Sequence, residues 1–254
     1  MIDLTNKVAL VTGSSRGIGR ACALKMAQAG ADVIVNYVSS RGDAMAVAKS
    51  IAAMGRRVWV VKADMGEEDD VECMVDFVKE NIGQLDIIVS NAATGGFRHL
   101  LASESKHFQA AMNVNVLSLV YLVRAALPLL KDASGRGKVV TISSHGADMA
   151  IPMYGLVGTS KAALEAVARH LTLEVGDAGI NVNVVKAGLV ETDSTRRIPF
   201  ADQLFAGRGE KTMVGEHLLT SEDVADCVLF LSSPLSDLIQ GETITVDGGA
   251  AIHV

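Results

Sequence analysis

The sequence is short of several things, and each shortage excludes something. Among 254 residues only three are cysteine, Cys22, Cys73 and Cys227. They are odd in number and far apart, so buried, reduced thiols are expected and not a disulfide framework. No Cys-x-x-Cys or Cys/His cluster offers a metal site. Positive charge is scarce: the formal net charge is −6, which argues against nucleic acid as a partner. Four prolines occur, none inside an apolar β-branched run. No apolar stretch reaches the roughly 18 residues of a membrane span, and an early Asp3 with only a short apolar run is unlike a signal peptide. A cytoplasmic protein is the expectation. No linker-like, repetitive or low-complexity segment divides the chain, so residues 1–254 are expected to form one domain.

What is present is globular in character, with 49% hydrophobic and 20% charged residues. Apolar, β-branched runs occur at 8–12, 32–37, 58–61, 86–89, 138–143, 181–185 and 243–246. They lack in/out alternation, as parallel strands covered on both faces do. Helical patterns lie between them at 18–29, 44–54, 68–82, 108–131, 160–175 and 221–232. Seven strands with intervening helices predict an α/β, doubly wound, Rossmann-type parallel sheet with helices on both faces. Only 187–220 lacks a clear period. A long irregular segment after a strand end predicts a substrate-binding lid, with Ile198, Phe200, Leu204 and Phe205 available to an apolar ligand.

The first strand runs into "TGSSRGIG", with Gly13, Gly17 and Gly19 opening a helix. Glycine permits a sharp turn and close approach of the backbone to a pyrophosphate, and the helix N-terminus supplies free N–H groups. Gly13, Ser14, Ser15, Arg16, Gly17, Ile18 and Gly19 are therefore candidate cofactor residues. An NAD site wants a carboxylate at the end of the second strand. Asn36 stands there instead, followed by Ser39, Ser40 and Arg41. Two arginines, Arg16 and Arg41, and hydroxyl donors suit a 2′-phosphate, so NADPH is the expected cofactor.

The spacing of this turn resembles the short-chain dehydrogenase/reductase superfamily, and the resemblance covers nearly the whole chain. "SNAA" at 90–93, Asn115, "ISS" at 142–144 and "VDGG" at 246–249 match its other motifs. The resemblance implies that Asp64 meets the adenine amino group and Thr192 the nicotinamide end. It also implies cofactor contacts from Met65, Asn91, Ala92, Ala93, Lys161, Gly188 and Val190. Helices at 108–131 and 160–175 would build a subunit face, giving a homotetramer or homodimer.

Two features depart from the common family pattern. Ala187 precedes Gly188 where proline is usual, and Tyr154 precedes Lys161 by 161 − 154 = 7 residues, not four. Ser144 precedes Lys161 by 17, the usual family spacing, so only the tyrosine has moved. Seven residues at about 100° each return to nearly the same helix face, and a three-residue slide displaces the attachment point by roughly 4.5 Å. Pro152 fits a helix starting just after it. In reduction of a conjugated enoyl thioester, hydride reaches the β-carbon and charge develops on an oxygen two carbons away. A tyrosine set back from the hydride path suits that demand.

The Tyr-x6-Lys step resembles bacterial enoyl-acyl-carrier-protein reductases, and "TGSSRG", "VNY", "SNAATG", "MNVN" and "VGTSKAALEA" are most similar to their third type. That resemblance implies Tyr154 as the enolate donor, Lys161 as the holder of the nicotinamide ribose and Ser144 as a lesser contributor. The acyl thioester would arrive on acyl carrier protein or coenzyme A, and Arg196 and Arg197 are candidates for docking an acidic carrier. His145 is expected to be structural. Two other readings stay open: a ketoacyl or other carbonyl reductase, and a non-catalytic NADPH sensor.

Overall fold

The computed structural model describes residues 2–215 and 217–252. Seven parallel strands form one sheet in the order β3-β2-β1-β4-β5-β6-β7. They are β1 (Val8–Val11), β2 (Asp32–Tyr37), β3 (Val58–Lys62), β4 (Ile87–Ser90), β5 (Gly137–Ser144), β6 (Ile180–Ala187) and β7 (Thr243–Val246). All seven lie where the apolar runs predict them, within a residue or two at each end. The helices are α1 (Gly17–Gln28), α2 (Arg41–Ala53), α3 (Glu68–Asn81), α4 (Ser105–Met112), α5 (Ser118–Lys131), α6 (Gly155–Val175), α7 (Ala201–Lys211) and α8 (Ser221–Leu231).

Strand residues alternate between two cores, which explains the unbroken apolar runs. Ala9, Val11, Val33, Val35, Val140 and Ile142 pack beneath α1, α2 and α8. Val8, Leu10, Ile34, Ile88, Val139 and Val182 pack beneath α3, α5 and α6 on the opposite face. Chain order reverses between β1 and β4. The carboxyl ends of these strands therefore open a crevice at the switch point, where ligands of such sheets bind.

Three elements differ from the sequence expectation. The helix predicted at 108–131 begins at Ser105 and carries a π-turn at Asn113–Leu117 between α4 and α5. As a unit, Ser105–Lys131 has a mean hydropathy of 1.6 over its most apolar 18 residues, enough by length and composition to cross a membrane. The expectation that no segment qualifies is corrected. The cause is the stripe Leu119, Leu122, Val123, Ala126 and Leu130, which is buried against the sheet. The segment 187–220, read as irregular, contains α7, preceded by a short turn at Thr195–Arg197. Finally α6 begins at Gly155, and Tyr154 is its N-cap residue.

Candidate active site

The glycine-rich turn is built for close approach. Gly13 and Gly17 have φ of 61° and 54°, a region that favours glycine. A Cβ on Gly13 would come within 3.0 Å of the Ala92 backbone. The first turn of α1 has no acidic residue, so its positive end is left open to an anion. Gly13, Ser15, Arg16, Gly17 and Ile18 line a cleft of about 530 Å³ together with Ser39, Ser40, Asp64, Met65, Asn91, Ala92 and Ala93. Lys161, Gly188, Val190 and Thr192 close its other wall. A dinucleotide fits this donor set: an open helix end, backbone at glycine, and hydroxyls beyond β2.

Four predicted cofactor residues are placed differently. Ser14 is fully buried, and its Oγ donates to the Val11 carbonyl at 2.8 Å while accepting from Asn36 N at 3.1 Å. It holds the turn from behind. Gly19 lies outside the cleft; a Cβ there would meet the Gly13 carbonyl oxygen at 2.5 Å, so it serves helix-to-turn packing. Asn36 borders the cleft, but its side chain accepts from Gly13 N at 3.0 Å and donates to the Ala63 carbonyl at 3.1 Å. Its amide ties three strand ends together. Arg41 is the first residue of α2, is exposed, and does not line the cleft. Of Arg16 and Arg41, only Arg16 lines the cleft. It lies 4.0 Å from Asp193 Oδ2, with both side chains largely exposed, a pair worth little in water.

A second cavity, of about 500 Å³, adjoins the first. Ser144, Tyr154, Gly188 and Thr195 border both. Its wall is largely apolar, including Met149, Ile151, Ile198, Leu204 and Leu219, and α7 forms one side. At the junction the Tyr154 hydroxyl donates to Ser144 Oγ at 3.1 Å. Lys161 is buried, and its Nζ donates to the Ile142 carbonyl at 2.7 Å. Burial lowers the Lys161 ammonium to about 8, against the raising effect of Glu165. Burial likewise raises the Tyr154 phenol, opposed by its bond to Ser144. Both groups are thus held closer to neutrality than in water.

Tyr154 reaches this position by a turn and not by helical repeat. Met153 just before it adopts a left-handed φ of 60°, a conformation that costs a non-glycine residue about 1–3 kcal/mol. The Met153 carbonyl accepts from Arg98 N at 2.9 Å, and the Tyr154 ring stacks on Phe97 with centroids 5.9 Å apart. Nothing in the sequence marks Phe97 as a partner.

The turn at His145–Ala147 and α6 press together with no room between them. A Cβ on Gly158 would lie 2.5 Å from the Gly146 carbonyl oxygen. Gly158→Ala should therefore push Ser144 and Tyr154 apart, costing about 1–3 kcal/mol of stability together with turnover. Thermal unfolding and steady-state kinetics check this; an unchanged Tm with full activity would refute the close approach.

Asn115 sits in the π-turn. Its amide accepts from Thr94 N at 2.7 Å and donates to the Thr94 carbonyl and to Ser160 Oγ, both at 2.8 Å. The wider turn aims this amide at the loop after β4, as π-turns at functional sites do. His145 borders the second cavity, with Nε2 2.9 Å from Asp247 Oδ2 but poorly aligned for a hydrogen bond. Arg196 pairs with Glu191 and with Asp202 (2.7 Å) and covers the Phe205 ring at 4.8 Å. These ties hold the segment before α7 together. Arg197 borders the nucleotide cleft. Among the described residues no group of acidic, histidine and cysteine side chains could hold a metal.

The comparisons with known proteins agree with this geometry. A sequence profile described as "Enoyl-(Acyl carrier protein) reductase" matches residues 13–251. Versicolorin reductase 1 of Dothistroma septosporum is 33% identical, covering 97% of each chain. A 1-cyclohexenylcarbonyl-CoA reductase of Streptomyces collinus is 32% identical, covering 97% of this chain and 87% of the relative. Among solved structures, a short chain dehydrogenase from Burkholderia cenocepacia in complex with NADP superposes with a TM-score of 0.88 at 34% identity, covering 97% and 98% of the two chains. The NADH enoyl-[acyl-carrier-protein] reductase of Aquifex aeolicus gives 0.89 at 32%, covering 98% of each.

Proposed function

We propose, because this chain belongs to the short-chain dehydrogenase/reductase family, that it is an NADPH-dependent reductase of the conjugated C=C bond of an enoyl thioester. The carrying observation is the tyrosine at the head of α6. Ser144 and Lys161 keep their relation to the sheet, while Tyr154 enters from the turn three residues earlier and still meets Ser144 Oγ. The family profile and the cyclohexenylcarbonyl-CoA reductase relative support the same reading.

NADPH held by the residues that line the first cleft would supply hydride to the β-carbon. The electron pair of the C=C bond then moves toward the thioester, and negative charge develops on its oxygen. Tyr154 donates a hydrogen bond to that oxygen, and the α-carbon of the enolate then takes up a proton from solvent to give the saturated thioester. Ser144 orients the phenol. Lys161, cationic below about pH 8, holds the ribose hydroxyls and stabilises charge near the phenol. The apolar second cavity receives the acyl group.

The second reading is carbonyl reduction. It is favoured by the Tyr154–Ser144 bond itself, which also suits protonation of an alkoxide, and by the versicolorin reductase relative. Purified protein with NADPH and, side by side, crotonyl and acetoacetyl thioesters separates the two. Crotonyl thioester should be consumed at least tenfold faster; the reverse order would assign the carbonyl reaction.

NADPH should be preferred over NADH. No carboxylate faces the cleft from the end of β2, and Arg16, Ser39 and Ser40 border it where a 2′-phosphate would lie. A charged hydrogen bond is worth about 1.5–3 kcal/mol, so Arg16→Ala should lower kcat/KM for NADPH roughly tenfold and leave NADH nearly unchanged. Equal kcat/KM for the two cofactors in the unaltered enzyme would refute the assignment.

A further inference from the structure

Beside Lys161 lies an ionic cluster, buried except for the exposed Asp148 carboxylate, that the chemistry above does not use. Lys186 faces Ser143 across the β5–β6 register and is only 6% exposed. Its ammonium pairs with Asp148 and lies 3.2 Å from Glu165 Oε1. That oxygen also accepts from Ser143 Oγ at 2.5 Å, and Glu165 is 7% exposed. Packing alone does not require charge here, since apolar side chains of similar volume usually serve stability as well or better. The four members come from four segments, three of which carry the reacting groups. Ser143 adjoins Ser144, Glu165 lies one helical turn beyond Lys161 on α6, and Asp148 follows the turn that leads from Ser144 toward Tyr154.

We propose that Lys186 is a positioning residue: by neutralising Glu165 it leaves the Lys161 ammonium directed at the cofactor ribose and Tyr154, and so sets the pH range over which the cofactor is held. The inference rests on the reductase reading above and adds to it the control of its lysine. Burial acts against the Lys186 charge, but its bonds to Asp148 and Glu165 outweigh burial and keep it cationic. Glu165, one turn along α6, in turn supports the Lys161 proton against burial. Other charged groups near Lys161 border the cavities: Arg16, Asp64, Asp193 and Arg197 in the nucleotide cleft, His145 and Asp247 in the adjoining one. Tyr154 and Ser144 stand at the junction. Among the described residues, none of these cavity groups hydrogen-bonds or ion-pairs with Glu165, whose partners are Ser143 and Lys186.

The signs of two substitutions then differ. Glu165→Gln removes the anion that supports Lys161, so the ammonium loses its proton at lower pH. Lys186→Met removes the opposing cation and leaves Glu165 uncompensated, so Lys161 keeps its proton to higher pH. A merely structural cluster would lower stability in both variants and move neither midpoint.

The experiment is a fluorescence titration of NADPH from neutral to alkaline pH with the full chain and no substrate. In the unaltered protein affinity should weaken as pH rises through about 8. The midpoint should move down in Glu165→Gln and up in Lys186→Met, each by about one unit. Lys186→Arg should overlay the unaltered protein. At neutral pH Lys186→Met should also lose roughly tenfold in kcat with a smaller change in KM, because a misdirected ammonium disturbs geometry more than substrate binding. Midpoints that move in the same direction, or stay fixed while Tm falls, overturn the proposal. Should Lys186→Met not fold, Lys186→Gln, which keeps a polar side chain without the charge, takes its place with the same upward midpoint expected. No NADPH binding at any pH would sink the reductase reading itself; binding with fixed midpoints sinks only the role of Lys186.

Discussion

Tyr154→Phe is expected to lose about a hundredfold to a thousandfold in kcat, the usual effect of removing one donor aimed at developing charge. The Kd for NADPH should stay within about twofold, because the phenol lies at the junction of the two cavities and its bond goes to Ser144 Oγ. The ring would still stack on Phe97, so the fold loses only one hydrogen bond, about 1 kcal/mol. The loss should therefore appear in turnover far more than in Tm. Single-turnover rates with an enoyl thioester, alongside thermal unfolding, read both. Turnover near that of the unaltered enzyme would remove Tyr154 from the mechanism.

Lys161→Ala should behave differently, failing in binding as well as in rate. The ammonium reaches into the cleft from α6 while donating to the Ile142 carbonyl. Its loss should remove the charged hydrogen bonds proposed to the ribose, worth about 1.5–3 kcal/mol, so the Kd for NADPH should rise roughly tenfold or more. The same ammonium explains an expected alkaline limb in kcat/KM. Its ionisation is lowered by burial to about 8, so activity is full below that pH and declines as pH rises through it. Lys161→Arg keeps the cation and should move the limb well to the alkaline side, because a guanidinium stays protonated. A limb that persists unmoved in Lys161→Arg would assign it to another group.

Much of this architecture follows from local pattern. The unbroken apolar run at 8–12 requires a sheet covered on both faces, and Val8, Ala9, Leu10 and Val11 alternate between the two cores. The glycine-rich turn was legible because Gly13 and Gly17 meet a backbone requirement that few other residues satisfy. α7 was not legible: its exposed, mixed-polarity surface shows no stripe, since it packs over a cavity instead of a core. Its ties through Arg196, Glu191 and Asp202 couple residues that no period relates.

The sequence by itself determined the parallel sheet, the cradle and the preserved interval from Ser144 to Lys161, because each depends on spacing along one chain segment. Only the tertiary structure decided where side chains point. Asn36 and Ser14 turn inward to tie strand ends, and Arg41 starts a helix outside the cleft. The seven-residue step from Tyr154 to Lys161 suggested one helix face. In the fold, Tyr154 stands at the helix cap after a left-handed Met153, and it meets Ser144 through a turn. Lys186 reads in sequence as one residue of a strand. Its pairing with Glu165 and Asp148 exists only once β6, α6 and the turn after β5 are brought together. Side-chain direction depends on backbone conformation and on distant neighbours, and neither is encoded in local periodicity.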